Sequence, residues 1–576
     1  MEPRFSSQGA VRHGLMLVAV VLGASGLPAV AVAGETKRHH TLDDSALNRE
    51  PRTVLLGIGD SLTHGTMDAT NNDVNTLNAY LQVIADSLGQ TGVSLWFKQP
   101  LFNDKEHRVR PFLIPTNVAV DGADAFSVEG LAYYLRAGTD ESLINPSYIC
   151  DKLLPSRLES TYDKVLYPIN VRAGQDVTQM DALIWNLSRL ADAPVDHRAL
   201  VIFWVGNNDS SNAALGGGFG PMQMPIPADL VEPEVTWAMR TLLRVGQETG
   251  EVAFEPYTIA SIEKHLTTPE DFAAQYDHLI DRIFAESALP TERMELFLLT
   301  LPYYSAVGHL FDSEDLEFYL QQLDPTYTVP PTFARVAPPG EPIVNPLGGD
   351  RVSILTFGMM YTLLWSGHSV EYVNRALEID GQQRDGLVMS QAEQEYISGR
   401  IDAFNDAIDA VAAKHPNGVH LVDVGQYLND GLGGNLMITV GDKVLGRKWV
   451  RGSGFTLDGV HPGYTAQALI AGFVLEAMNA VTALDAPLPD IDAVFATDPY
   501  IDHDGDGWAP GPDYRPFGIT ELLFMLTDPD DADATVRAAL PDNVWRMISN
   551  ALVRDLVEIP SLRLEAQRLG IMPDPP

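Results

Sequence analysis

The stretch Thr53-Val54-Leu55-Leu56-Gly57-Ile58-Gly59-Asp60-Ser61-Leu62-Thr63 decides the fold. Residues 53–58 form a near-continuous apolar run, the pattern of a strand buried on both faces in a parallel sheet. Four further runs have the same character: 112–120, 199–205, 294–301 and 419–424. Helical patterns separate them. Thr268 as N-cap and Pro269 at the first helical position predict a helix start. Ser390 and Glu393 predict a capping box for a helix running to about Lys414, stopped by His415-Pro416-Asn417-Gly418. A last helix follows Pro462, with Ala466, Leu469, Ile470, Phe473 and Val474 on its apolar side. Strands alternating with helices indicate an α/β sandwich around a central parallel sheet.

The connections over about 210–265, 305–390 and 425–455 are far longer than ordinary α/β loops and read as functional insertions. Inside the largest, residues 355–365 form an apolar block, read as a buried helix in preference to a lid or acyl-chain surface. Composition changes after Asp485. The chain therefore divides into residues 1–33, a flexible segment 34–51, a main domain 52–484, and an acidic linker with a loop and helical tail over 485–576.

Residues 1–33 read as an export signal. Arg4 and Arg12 precede the apolar run 15–22, and Ala31-Val32-Ala33 is a small-x-small cleavage site. The protein is thus expected to be secreted or periplasmic, with no transmembrane segment in the mature chain. The 576 residues carry 38 Lys+Arg against 77 Asp+Glu, a net charge of −39. So acidic a chain repels phosphate backbones, which excludes a nucleic-acid partner. The single cysteine, Cys150, cannot form an internal disulfide, so the fold must stand on its hydrophobic core.

The chemistry sits where strands end. Ser61 follows the first strand, at the carboxyl edge of the sheet where α/β proteins keep their sites. A serine hydroxyl needs a base, a group to orient that base, and donors for an oxyanion. The second run leads into Asn117-Val118-Ala119-Val120-Asp121-Gly122, which brings a glycine N–H to the same edge. The third leads into Gly206-Asn207-Asn208-Asp209, which offers a side-chain amide. Far downstream, Asp458-Gly459-Val460-His461-Pro462 sets a carboxylate three residues before an imidazole. At that spacing the aspartate holds Nδ1–H while Nε2 faces the serine. His64, three residues after Ser61, is a rival base, but no carboxylate is evidently placed to orient it.

These four blocks, in this order, resemble the GDSL family of SGNH hydrolases over roughly residues 53–480. The resemblance implies a three-layer α/β/α flavodoxin-like sandwich and ester hydrolysis without a metal. By position it makes Ser61 the nucleophile, His461 the general base and then acid, and Asp458 its orienter. The Ser61 N–H, the Gly122 N–H and the Asn208 amide would form the oxyanion hole. The chain is much longer than minimal members, so its insertions bear on substrate. The expected activity is that of an esterase or lipase acting on small-molecule or lipid esters. A carbohydrate O-deacetylase or an acyltransferase would use the same triad. A noncatalytic, calcium-dependent surface-binding protein is the reading from a different class.

A second constellation begins at Asp502. Aspartates at loop positions 1, 3 and 5 (Asp502, Asp504, Asp506), a glycine at 6, the Trp508 carbonyl at 7 and Asp513 at 12 match a calcium-loop spacing. The motif resembles EF-hand and dockerin-like loops, with Asp in place of Glu at position 12 and proline-rich sequence where an entering helix is expected. Calcium there would be structural, tying the tail down.

Overall fold

The computed structural model describes residues 47–103, 106–216, 259–365, 367–384 and 387–512. The apolar runs become the centre of the molecule. Strand β1 (Thr53–Gly59) is buried at every position. It is flanked by the two-residue β2 (Leu95–Trp96) and by β3 (Arg198–Trp204), which is followed by β4 (Met294–Leu299) and β5 (Val419–Val422). All pair in parallel, in the order β5-β4-β3-β1-β2. The β1–β3 register runs from Thr53 opposite Arg198 to Gly59 opposite Trp204. Parallel neighbours cannot be joined by tight turns, so each connection must cross over.

Three capped helices carry much of that traffic. Thr178 accepts from the Asp181 N–H to open the helix Gln179–Asp192, in a full capping box. Thr268 caps Pro269–Glu286 through the Asp271 N–H, as the sequence predicts. Ser390 and Glu393 form the expected reciprocal box for Gln391–Lys414. The helix expected after Pro462, Tyr464–Thr482, buries Ala466, Ile470 and Val474, while Leu469 and Phe473 pack at the core's edge. It is long and apolar enough to cross a membrane by length and composition alone. Its inward face instead completes the main hydrophobic core.

One expected strand needs correction. Residues 112–120 do not form a regular strand. Pro111 and Pro115 supply no N–H, so a ladder cannot run through them. Only the far end pairs: Gly57 N–H donates to the Thr116 carbonyl, and Val118 and Val120 N–H donate to Gly57 and Gly59. β2 covers the start of the same β1 edge. Two short pieces thus share the edge that one strand was expected to fill.

Two of the insertions pack together. Residues from 305–390 and 425–455 build a second core in which Phe311 stacks on Phe357 at 4.3 Å and Tyr319 meets Trp449 and Trp508. The helix Ile354–Trp365 lies within it, with Phe357 and Met360 fully buried, which fits the buried-helix reading of the apolar block. Beside this core, Asp312 receives Arg351 at 2.9 Å and Lys448 at 2.5 Å, and Asp315 receives Arg451 at 2.8 Å. Carboxylates so deeply buried require such partners. Trp508, Ala509 and Tyr500 belong to the same core, so the start of the C-terminal region packs directly on the insertions. Most of the 210–265 connection lies outside the described residues, as do residues 1–46, Asp513 and the predicted helical tail.

Candidate active site

The strand order reverses direction between β1 and β3, and ligands in open α/β sheets bind outside the carboxyl ends at such a point. Both strands end there in residues that the sequence nominates. β1 stops at Gly59, where an added Cβ would sit 2.4 Å from the Trp204 carbonyl oxygen and 2.6 Å from Thr63 Oγ1. Only glycine allows the chain to pass that close. Asp60 then caps the single turn Ser61–His64 by accepting from the Leu62 N–H at 3.0 Å. Ser61 becomes the first residue of a helical turn, so its own N–H has no acceptor within the turn.

Asp60 is fully buried, and its other oxygen accepts from Asn207 Nδ2 at 2.9 Å. Burial raises its pKa to about 6, against the pull of the Asn207 and Leu62 bonds. The bond ties the β1 end to the β3 end. The next residue, Asn208, turns its amide the other way and donates from Nδ2 to the Ala123 carbonyl at 3.0 Å. An amide nitrogen carries two protons, so one remains for a ligand.

Ala123 closes a turn by donating its N–H to the Val120 carbonyl at 3.1 Å. Gly122, third in that turn, has φ +75 and open space where a side chain would stand. Asp209 steadies the same segment by accepting from the Ala125 N–H at 2.9 Å and from Thr267 Oγ1 at 2.6 Å. The amide of Asn208 and the Gly122 turn are thus fixed to each other.

The fourth segment brings the imidazole nominated as base. His461 Nδ1 lies 2.6 Å from Asp458 Oδ2. Asp458 also accepts from the N–H groups of Val460 at 2.8 Å and His461 at 2.9 Å, from Thr456 Oγ1 at 3.0 Å, and from the Ala69 N–H at 2.7 Å. Burial alone would favour the neutral acid, but the His461 charge and these donors outweigh it and hold its pKa well below the usual carboxylate range. An ionised carboxylate can only accept, so His461 Nδ1 keeps its proton, and Nε2 becomes the acceptor whenever the ring is neutral. Burial acts to lower the His461 pKa, yet the Asp458 charge and hydrogen bond, aided by Asp121 and Asp60, raise it to about 9.

Ser61, Gly122, Asn208, Asp458 and His461 all line one cavity of about 330 Å³. Leu62, Leu215, Val307, Ile354 and Val460 contribute apolar wall, and no lysine or arginine lines it. The structure therefore brings together every residue the four blocks nominate. His64 is not among them. Its ring is fully buried edge-on to Phe102 at 5.0 Å, neither nitrogen has a hydrogen-bond partner, and burial lowers its pKa to about 3. The rival base is thus walled off from the cavity that holds the others.

Three contributors escape sequence reasoning. Asn207, beside the nominated Asn208, braces Asp60. Tyr304, from an insertion, lines the cavity and donates its hydroxyl to the Asn207 carbonyl at 2.8 Å. Ala69 acts through a backbone N–H, which leaves no mark in residue type.

At the C-terminal loop, one carboxylate oxygen from each of Asp502, Asp504 and Asp506 lies within 4.8 Å of the others. The loop is folded by its own side chains: Asp502 accepts from the Gly505 and Gly507 N–H groups at 2.6 and 2.9 Å, and Asp506 from the Trp508 N–H at 2.8 Å. Asp513, the expected twelfth-position ligand, is outside the described residues.

No protein-family model matches the chain, and no curated protein matches it.

Proposed function

We propose that this protein is an exported serine esterase of the GDSL type, built on a three-layer flavodoxin-like α/β/α sandwich. The observation that carries the reading is the Asp458–His461 pair at 2.6 Å on the same cavity as Ser61 and Asn208. His461 Nε2 takes the Ser61 proton as Oγ attacks the ester carbonyl. The Ser61 and Gly122 N–H groups and the Asn208 amide hold the tetrahedral oxyanion. His461 returns its proton to the departing alkoxide, leaving an acyl-enzyme. The same imidazole then deprotonates the water that releases the acid. Asp458 stays ionised throughout and steadies the imidazolium.

The apolar walls favour an ester with a hydrocarbon acyl group over an acetylated polysaccharide, which would want a polar groove. p-Nitrophenyl butyrate and octanoate are expected to turn over, and acetylated xylan is not. The opposite pattern would replace the esterase by the deacetylase.

Substituting Asn208 with Ala removes one oxyanion donor and should lower kcat by about 10²–10³-fold with little change in KM. An equal rise in KM at unchanged kcat would show that the amide only binds substrate.

The pH dependence has a definite sign. Protonated His461 cannot accept the serine proton, so kcat/KM must rise with pH through the pKa of the free enzyme's imidazole. With that pKa raised to about 9, the limb should lie well to the alkaline side of an ordinary histidine. Asp121→Asn removes one of the charges responsible and should move the limb to lower pH. A limb at or below 6.5 would contradict this electrostatic picture.

The acidic loop fits a calcium ion chemically, since Asp502, Asp504 and Asp506 offer hard oxygen donors at the 1-3-5 spacing, and by sequence spacing the Trp508 carbonyl and Asp513 would supply positions 7 and 12. Calcium would brace the loop there and take no part in the Ser61 chemistry. Chelation should then lower Tm, and calcium should restore it where magnesium does not. A Tm indifferent to chelator would remove the ion from the account.

A further inference from the structure

The C-terminal segment reaches the Asp458 carboxylate through a short chain of hydrogen bonds. Met67 and Thr70 pair as an antiparallel bridge, and the two residues between them, Asp68 and Ala69, both have φ +53. Residues with side chains seldom adopt that left-handed conformation, and a turn built from two of them persists only where its surroundings hold it. Here the surroundings are the catalytic loop and Tyr500. The Asp68 carboxylate accepts from the Leu457 N–H at 2.9 Å and from the Tyr500 hydroxyl at 2.8 Å. The Asp68 N–H donates to Thr456 Oγ1 at 3.2 Å, and the Ala69 N–H donates to Asp458 Oδ2 at 2.7 Å. That last oxygen is the one that holds His461 Nδ1.

Tyr500 is itself anchored. It is 1% exposed, its ring stands edge-on to Tyr464, and its N–H donates to Asp498 Oδ1 at 3.0 Å. Asp498 Oδ2 in turn accepts from the Thr465 N–H and hydroxyl, both at 2.8 Å, in the first turn of the helix that begins three residues after His461. Tyr500 is thus clamped between the base of that helix and the Asp68–Ala69 turn.

We propose that Tyr500 and Asp68 are positioning residues of the triad: together they hold the Asp68–Ala69 turn so that the Ala69 N–H fixes the Asp458 carboxylate against His461. The start of the C-terminal region is then part of the active-site scaffold. This rests on the esterase reading above, because it concerns how that triad is held. A carboxylate free to rotate would hold Nδ1–H less well, and small misplacements of such groups are costly in rate.

The test uses the full-length protein and a fluorophosphonate probe, whose labelling rate reports the nucleophilicity of Ser61. Wild type should label and Ser61→Ala should not; if wild type fails to label, the esterase reading falls and this proposal with it. Tyr500→Phe deletes one oxygen and no charge, and leaves Asp60, Asp121 and His309 around the His461 ring unchanged. It should label about 10-fold more slowly, with kcat for p-nitrophenyl butyrate reduced alike and KM within about twofold. Its pH–rate limb should move to lower pH, because a looser Asp458 supports the imidazolium less. Asp68→Ala should do at least as much, and Tyr500→Phe alone carries the test should that variant not fold. A Tyr500→Phe protein with wild-type labelling rate and pH limb but a lower Tm would overturn the proposal and leave Tyr500 a fold anchor only.

Discussion

Replacing His461 with Ala should lower kcat/KM for a p-nitrophenyl ester by about 10⁴-fold or more, with the fold intact. Among the described residues, the imidazole is the only base on the cavity held by an orienting carboxylate, and once deprotonated its Nε2 can accept. Without it the Ser61 hydroxyl keeps its proton, and a neutral hydroxyl is a poor nucleophile. What survives is the oxyanion hole acting on a substrate attacked by water, which is the residual rate expected of a broken triad. The control is His64→Ala. That ring is buried against Phe102 with both nitrogens unpartnered, so its loss leaves a cavity and costs stability. Turnover per folded molecule should stay near wild type. If His64→Ala destroyed turnover while His461→Ala spared it, the assignment of the base would reverse.

Asp458→Asn should cost nearly as much in kcat, about 10⁴-fold, and more in stability. Two effects combine. An amide at 458 presents a donor to His461 Nδ1, so the ring must adopt the tautomer with Nε2 protonated, which cannot accept the serine proton. The amide also has one acceptor oxygen, whereas the carboxylate serves Val460, His461, Thr456 and Ala69 as well as the ring. Some of those buried donors lose their partner, and each such loss costs about 1–3 kcal/mol. A fall in both kcat and Tm is therefore expected, and the double variant with His461→Ala should be hardly slower than His461→Ala alone, because the pair acts as one unit. A multiplicative loss in the double variant would show that Asp458 serves the reaction by some route other than the imidazole.

How much of this could be read from residues alone depended on whether the information was local. Apolar runs at 53–58, 199–205 and 294–301 correspond to β1, β3 and β4, because a strand buried on both faces has little alternative composition, whereas β5 within 419–424 is an edge strand with Leu421 exposed. Caps at Thr268 and Ser390 were legible for the same reason: a side chain and a backbone N–H three residues apart settle the matter. Residues 112–120 are apolar enough for a strand, but Pro111 just before them and Pro115 within them prevent a ladder. β2 is two residues long, too short to carry a period. The long insertions gave no sign that they would share one aromatic core, since Phe311, Phe357, Trp449 and Trp508 come from four distant segments. Within the site, the nominated side chains were visible as four short blocks. The Ala69 N–H was not, nor was the Tyr500–Asp68 bond across 432 positions, because nothing in either residue's neighbourhood points to the other.

The most direct measurement is the mass of the intact protein after reaction with a fluorophosphonate, followed by peptide mapping. A hydroxyl activated by the Asp458–His461 pair should give one adduct per chain, on Ser61, at a rate that rises with pH and vanishes in His461→Ala. An unmodified Ser61 in a protein that still cleaves esters, or a stable adduct on a different serine, would contradict the account.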